Sequence, residues 1–575
     1  MGDLTVESNL IANQAFENAI ILGQLTIKSR TIGNQAFKSA VVSGKATITD
    51  ATQVIDLLAF SGAQMTDDLD IEAHKLAYNA FAGITVGKKL TIGPAVTFDY
   101  IEIEYYNDDY DLYSEDVYYT FKGAKIMGGI DAKCKQLPSR CFKEATISGE
   151  LTYDSDVTTV GREVFSKAKL NNFTIATQRI NASQFVGATI TGTLALAEPL
   201  QSIGEKAFNE ARIENCPTLP ATLTSIGDKA FWGCSMTGTL ALPEGVTIGN
   251  QAFASNRLTT ISLPDDVTFT ELTNGNRGVF AYNSIEKITI PATWESIPDR
   301  IFEGCSSLKA ISFSDDASLR KIGVSSFKSC GIKTISLPKR VTEIGDSAFN
   351  LVQATTIILP LNIEKVGKYA FESIYQKEGG QLPTLCRNVF IPEKKGARLD
   401  LSGTGICSID TLHIWASAGN DLALPTIQND YGYYATWWLL VIDQDRQGTY
   451  SYYQELDDPW FMRDGSYKTY FDKGVVYVPY GLKKFLQSQV PAADNEWEEA
   501  LCLLPDDHWI EIEMYEYPYC QRNPYPAGIE QVGSEASDGV EVARYDINGR
   551  LLSTPQPGIN IVRYSDGSVK KVVVR

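Results

Sequence analysis

From Ser202 to Glu372 the apolar positions recur in fixed pairs. Ile203 precedes Phe208, Ile226 precedes Phe231, Ile248 precedes Phe253, and Ile297, Ile322, Ile344 and Val366 precede Phe302, Phe327, Phe349 and Phe371, always at a distance of five residues. Between the pairs lie phrases in which apolar and polar residues alternate: LTTISLP (258–264), IEKITIP (285–291), LKAISFS (308–314), IKTISLP (332–338) and ATTIILP (354–360). A Phe returns every 22 to 27 residues, and a unit of that size cannot bury its apolar side alone, so it must stack on its neighbours. The pattern predicts a repeat solenoid, rich in β-strand with short helical or irregular convex segments. About 16 or more coils of 20–27 residues are expected, followed by a small all-β C-terminal segment.

The offsets around each Phe carry further detail. Gly204, Gly227, Gly249, Gly323, Gly345 and Gly367 follow the leading apolar residue, which predicts a corner with φ > 0 where a Cβ would clash. Three residues after the Phe the side chain is small or medium, as at Ala211, Cys234, Asn256, Asn283, Cys305, Cys330 and Val352, as a tight internal rung requires. In the alternating phrases Leu258, Ile261 and Leu263 are expected inside. The outward row is then Thr260, Ser262, Lys287, Thr289, Ser312, Thr334, Ser336 and Thr356, a hydroxyl-rich candidate binding surface and equally what an ordinary exposed strand carries.

The N-terminal part repeats the pattern in weaker form, with IANQAF (11–16), TIGNQAF (31–37), LLAF (57–60), YNAF (78–81), LPSRCF (137–142), VGREVF (160–165) and INASQF (180–185). One gap interrupts it. Phe81 and Phe121 are 40 residues apart, and FDYIEIEYYNDDYDLYSEDVYYTF (98–121) is crowded with Asp, Glu and Tyr. It reads as a degenerate coil with a solvated acidic edge or as an acidic, Tyr-rich insertion over 98–120. Asn107, Asp108, Asp109, Asp111, Glu115 and Asp116 also offer oxygen ligands for a cation or a basic partner, without the spacing of an EF-hand.

The recurring I-G-x-x-A-F, the small or Cys residue after it and the L-x-x-I-x-L-P phrase together resemble the BspA-like leucine-rich-repeat family of bacterial, Bacteroidetes-type, cell-surface proteins. The resemblance implies a leucine-rich-repeat solenoid, export to the cell surface and binding to host proteins or other cells without catalysis. The chain opens MGDLTVESNL, with no basic n-region or apolar run, so an exported protein is expected here in its mature form.

Past the clear repeats, residues 1–382 give way to divergent coils over 383–522. NVFIP (388–392), ARLDLSG (397–403) and SIDTLHIWA (408–416) keep strand character. An aromatic tract (431–461) follows, in which Tyr434, Trp437, Trp438 and Trp460 either stack on a ligand or seal the end of the array. VVYVPYGLKKFLQS (475–488) resembles the family's closing strand and short helix. Residues 523–539 read as a linker. Residues 540–575 read as β-hairpins, with Asn548-Gly549 and Asp566-Gly567 at their turns, and resemble a short version of the type IX secretion sorting module of exported Bacteroidetes proteins.

Composition narrows the function. Against 51 Lys and Arg stand 70 Asp and Glu, a formal charge of −19, which disfavours nucleic acid. No apolar run is long enough to span a membrane as a helix. Ten cysteines in 575 residues do not suggest a disulfide framework, and those on the rung read as buried thiols, although Cys305 and Cys330 occupy adjacent coils. The three histidines, His74, His413 and His508, stand in no catalytic or zinc-ligand spacing, and no nucleophile elbow, metalloprotease motif or phosphate loop occurs. Taken with what the family resemblance implies, the expected protein is a non-catalytic, monomeric, extracytoplasmic binding protein, adhesin-like, with a protein or glycan ligand and no cofactor or metal. A self-associating surface coat and a glycan-active site in residues 431–480 are the alternatives.

Overall fold

A computed structural model describes residues 2–106, 112–153, 157–270, 278–314 and 317–372, then the strands Cys386–Pro392, Ile409–Trp415, Val475–Pro479, Trp509–Ile512, Glu541–Tyr545, Gly558–Tyr564 and Val569–Val574 with a few single positions between them. Two compact units divide the chain, Met1–Glu511 and Ile512–Arg575. The first is a parallel solenoid. Its axis is a file of phenylalanines, Phe16, Phe37, Phe60, Phe81, Phe121, Phe142, Phe165, Phe185 and Phe208, continuing through Phe231, Phe253, Phe280, Phe302, Phe327, Phe349 and Phe371. Each ring stacks on the next at 4.8 to 6.0 Å between centroids. All but Phe16 are buried. The leading apolar residue and the rung residue of each coil, such as Ile203 and Ala211, are buried beside them.

The turn that carries each Phe is neither helical nor irregular. Residues two before and two after the Phe have positive φ in coil after coil: Lys206 and Glu210, Lys229 and Gly233, Gln251 and Ser255, Ser325 and Ser329, Ser347 and Leu351. This left-handed backbone turns alternate N–H groups toward the next coil. Lys206 N donates to Asp228 O (2.8 Å), Phe208 N to Ala230 O (2.7 Å) and Glu210 N to Trp232 O (2.8 Å). The N–H groups between them close turns inside the coil, Asn209 to Lys206 O (3.0 Å) and Ala211 to Phe208 O (2.8 Å). Each non-glycine residue held this way costs about 1–2 kcal/mol, offset by the inter-coil hydrogen bonds it makes possible. Short helical or irregular convex segments were expected from sequence, and the turns are the non-helical alternative with a repeating backbone; among the described residues helical conformation is confined to Lys484, Gln487 and Ser488, with a single 3₁₀ position at Asp506.

The recurring glycine has a different cause from the one its position suggests. Gly204, Gly227, Gly249, Gly323, Gly345 and Gly367 are not among the residues with positive φ. They are small because the preceding coil passes too close. A Cβ on Gly227 would lie 2.6 Å from Glu205 N, and one on Gly345 would lie 2.8 Å from Val324 N. The same corner is pinned by the Asp or Asn that follows the glycine: Asn250 N donates to Asp228 Oδ1 (2.8 Å) and Lys368 N to Asp346 Oδ1 (2.9 Å).

Short strands on either side of the Phe turn build parallel ladders. The corner strands Leu10–Ile11, Thr31–Ile32, Val54–Ile55, Lys75–Leu76 and Thr97–Phe98 form one, and Arg179–Ile180, Ser202–Ile203, Ser225–Ile226, Thr247–Ile248 and Thr268–Phe269 another. The opposite face begins as two short strands per coil, for example Ile20–Ile21 and Leu25–Ile27, and from Thr146–Tyr153 onward these fuse into single strands with a bulge where the kink was.

Two places depart from this rhythm. Between Phe81 and Phe121 the chain makes an antiparallel hairpin, Ile101–Tyr106 with Leu112–Val117, yet the two rings still stack at 5.1 Å. The acidic stretch is thus an insertion within one coil and not a worn-down coil of its own. Its tip, residues 107–111, lies outside the described residues. The second departure lies between Thr268–Phe269 and Ser296–Ile297, where one corner ladder ends and the next begins. Pro298 occupies the glycine place there and has no N–H to give the ladder. The adjoining rings are also the most widely spaced, 6.0 Å for Phe253–Phe280 and 5.9 Å for Phe280–Phe302. Phe269 packs edge-on against Trp294 at 5.5 Å, walling a cleft of about 390 Å³ beside the break.

Strand character persists beyond the clear repeats, as the alternation predicts. Cys386–Pro392, Ile409–Trp415, Val475–Pro479 and Trp509–Ile512 extend one six-stranded sheet that starts at Thr334–Ser336 and Thr356–Ile358. Residues 416–474 lie outside the described residues. In the second unit Glu541–Tyr545, Gly558–Tyr564 and Val569–Val574 form an antiparallel sheet in which Asn560, buried, accepts from Arg544 Nη1 (3.2 Å) and from Gln556 N (3.1 Å).

Removing one ring leaves a void between two others, so Phe208→Ala is expected to destabilise by about 3–5 kcal/mol, read from the shift in the chemical-denaturation midpoint. Gly227→Ala should cost about 1–3 kcal/mol by forcing two backbones apart, measured in the same way, whereas a corner governed by φ would be relieved by Asn at this site.

Candidate functional site

The polar row expected on the alternating strands does face outward. Thr260 and Ser262 lie on Arg257–Ser262, Lys287 and Thr289 on Lys287–Ile290, and Ser312 on Ala310–Phe313; all five are exposed. Thr334 and Ser336 on Thr334–Ser336 and Thr356 on Thr356–Ile358 are half-buried. The register aligns Thr260 with Thr239, Ser262 with Ala241, Thr289 with Ser312, and Thr334 with Thr356. These strands form three separate short sheets along one face and not one continuous sheet. Strict alternation also fails at one point. A register shift between Gly238 and Thr239 leaves Thr259 as an extra residue, so Thr259 and Thr260 are both exposed between the buried Leu258 and Ile261.

A charged flank accompanies the hydroxyls. Arg257, Lys309 and Lys333 are exposed at the start of their phrases beside Lys287, giving this face cations on a chain whose formal charge is −19. Sequence reasoning picked out Lys287 alone. The cations do not fall in one register position: Lys287 pairs with Ala310, which sets Lys309 level with the exposed Glu286, so they are scattered over the face and not lined up along it.

Behind the face, the rung does more than fill space. Cys234 Sγ donates to Phe208 O (2.9 Å), Cys305 Sγ to Phe280 O (3.4 Å) and Cys330 Sγ to Phe302 O (3.3 Å). Asn256 Nδ2 donates to Phe231 O (2.8 Å) and Phe253 O (3.0 Å), while its Oδ1 accepts from Met236 N (3.1 Å). Asn283 repeats the arrangement one coil on, to Phe253 O (2.9 Å) and Phe280 O (3.0 Å), accepting from Leu258 N (3.1 Å). Volume alone suggested small residues here; the hydrogen-bond donors are a tertiary consequence of the Phe carbonyl of the coil below pointing at the rung.

The described cysteines, Cys134, Cys141, Cys216, Cys234, Cys305 and Cys330, are free thiols, so Cys305 and Cys330 are unbridged. Burial pushes the Cys305 thiol up to about 12, and raises Cys234 and Cys330 likewise. Among the described residues no group of His, Cys, Asp or Glu is arranged to hold a metal ion. His74 is tied to backbone, Nε2 lying 3.1 Å from Asp50 O. Tyr434, Trp437, Trp438 and Trp460, and the tip of the acidic insertion with Asp108, Asp109 and Asp111, lie outside the described residues.

The raised thiols fix the sign of a pH effect. The stability tied to their protonated form is full below the ordinary thiol value of 9.0 and is lost as pH rises through it toward about 12. Between pH 8 and pH 10 the wild-type chain should lose more stability than a Cys234→Ala/Cys305→Ala/Cys330→Ala variant, measured by denaturation at each pH, and thiol reagents should label these three sites only after unfolding.

With the geometry in hand, comparison with known proteins is direct. A family model described as the BspA type leucine rich repeat region matches residues 3–108, 118–191, 176–275 and 273–388. No curated protein matches the chain. Among solved structures it is similar to a leucine-rich repeat protein from Bacteroides ovatus ATCC 8483, at 19% identity over 59% of this chain and 82% of that one, TM-score 0.38. It is also similar to the pneumococcal vaccine antigen PcpA, at 16% identity over 77% of this chain and 91% of that one, TM-score 0.33. A leucine rich cell surface protein from Faecalibacterium prausnitzii A2-165 shares 15% identity over 58% of this chain and 90% of its own, TM-score 0.28. The family match covers well over half of the sequence and coincides with the stacked coils, and the chain belongs to the BspA-type leucine-rich-repeat family.

Proposed function

We propose that the protein is a non-catalytic binding protein acting outside the cell, and that it recognises a protein or glycan ligand through the strand face of residues 257–358. The observation that carries this reading is the exposed row of Thr260, Ser262, Lys287, Thr289 and Ser312. It is held at a fixed pitch by coils whose apolar residues all turn the other way, so nothing in the fold requires these particular side chains. An array of hydroxyls with Arg257, Lys287, Lys309 and Lys333 exposed among its strands suits an extended polar ligand carrying carboxylates or sulfates. The extracytoplasmic setting and the adhesin-like role rest on the resemblance of the repeat to bacterial surface proteins.

A screen against extracellular-matrix proteins, mucins and acidic polysaccharides tests the reading. Any ligand found should lose about tenfold or more in affinity with a Lys287→Glu/Lys309→Glu variant that melts like wild type, and its binding should weaken with salt. A ligand that binds this variant as tightly as wild type places recognition elsewhere, and turnover of any polysaccharide in the panel would defeat the non-catalytic reading.

A further inference from the structure

The hairpin Ile101–Tyr106 and Leu112–Val117 buries Val117 at its root but adds no ring to the stacked file. Phe81 and Phe121 stack across its base, Phe81 N donates to Thr120 O (2.9 Å) and Gly83 N to Lys122 O (2.9 Å), as though the coil had never been opened. Among the described residues no third strand pairs with it. Its edges therefore present backbone donors and acceptors. Neither strand contains a Lys, an Arg or a Pro, the residues that commonly protect such an edge from added strands.

Two further features say what would fill that edge. At the root, Tyr100 is 51% and Ile101 40% exposed, and Tyr100 lies 5.7 Å from Tyr118, ring to ring, giving an apolar ledge in open solvent. In the register Glu102 stands directly opposite Asp116, both exposed, with Glu104 and Glu115 also in the paired strands. Like charges directly opposed across a strand pair are unfavourable, and a cation laid between them removes the penalty. Lysines on the flanking coils have other contacts: Lys75 with Asp99 (2.9 Å), and Lys122 and Lys143 over the Tyr119 ring at 5.0 and 5.4 Å.

We propose that the open edge of this hairpin captures, as an added β-strand, an extended segment of a basic polypeptide. A Lys or Arg on the rung that Glu102 and Asp116 share meets that pair, and an apolar residue next to it covers Tyr100 and Ile101. This surface is separate from the face of residues 257–358, and its role does not depend on that face binding anything.

The test uses the full chain and a labelled peptide of alternating Lys and Val, followed by fluorescence anisotropy at low and moderate salt. Wild type should bind, and a Glu102→Lys/Asp116→Lys variant should bind about tenfold more weakly or less, with an unchanged melting transition because both side chains are exposed. Lys287→Glu/Lys309→Glu should bind the peptide like wild type, which separates failure here from failure of the strand-face reading. Peptides N-methylated at either alternate set of residues keep their charge but lose donors; at least one set should lose about tenfold in affinity. Equal binding by the charge-reversed hairpin, or no loss with either methylated peptide, overturns the proposal. Salt-sensitive self-association in light scattering, abolished by the same hairpin variant, would also overturn it by making a second copy the occupant.

Discussion

Successive coils of this protein approach to about the thickness of one aromatic ring, 4.8 to 5.4 Å through the regular part of the phenylalanine file, and that spacing constrains the rest of the structure. It is set twice over. The rings contribute dispersion and burial along the axis, and the backbone of the same turn contributes hydrogen bonds from alternate N–H groups to the coil above. Neither alone would tolerate two left-handed residues per coil. Together they make that conformation the one in which every buried amide near the axis finds a carbonyl.

From the spacing follows the choice of residue at each other position. Glycine at the corner answers a neighbour 2.6 Å from where a Cβ would be, as at Gly204 and Gly227. The rung must be small, and where it is Cys or Asn its donor reaches the Phe carbonyl of the coil below, which satisfies that buried acceptor. The thiols are inert for the same reason: burial holds them protonated, and each is already donating.

Such a rod leaves function to its outside and to its interruptions. The strand face can vary more freely than the core because most of its side chains are exposed, and it carries hydroxyls with several cations on an acidic chain. The acidic hairpin is added without disturbing the stack beneath it, and Pro298 breaks a corner ladder where the rings spread to 6.0 Å and a cleft opens beside Trp294. In each case the core tolerates the change because a coil depends on its immediate neighbours and little else.

The sequence by itself determined the solenoid, the length of its repeat, the identity of the ring file and of the rung, and most of the residues of the alternating phrases that face solvent, because these follow from a period in apolar residues that is repeated many times. It misassigned what depends on the distance between coils. The corner glycine suggested positive φ, whereas the left-handed residues are ordinary ones such as Lys206, Lys229 and Ser347, carried there by hydrogen bonds to a coil more than twenty residues away. The acidic stretch read either as a worn coil or as an insertion, and it is the stacking of Phe81 on Phe121 across a hairpin that decides for the insertion. Which exposed cations share a row is likewise a matter of register, and Lys287 pairs with Ala310 and not with Lys309. Periodicity is a property of the chain, so it is legible along the chain; contact between coils is a property of the stack, and only the folded stack decides it.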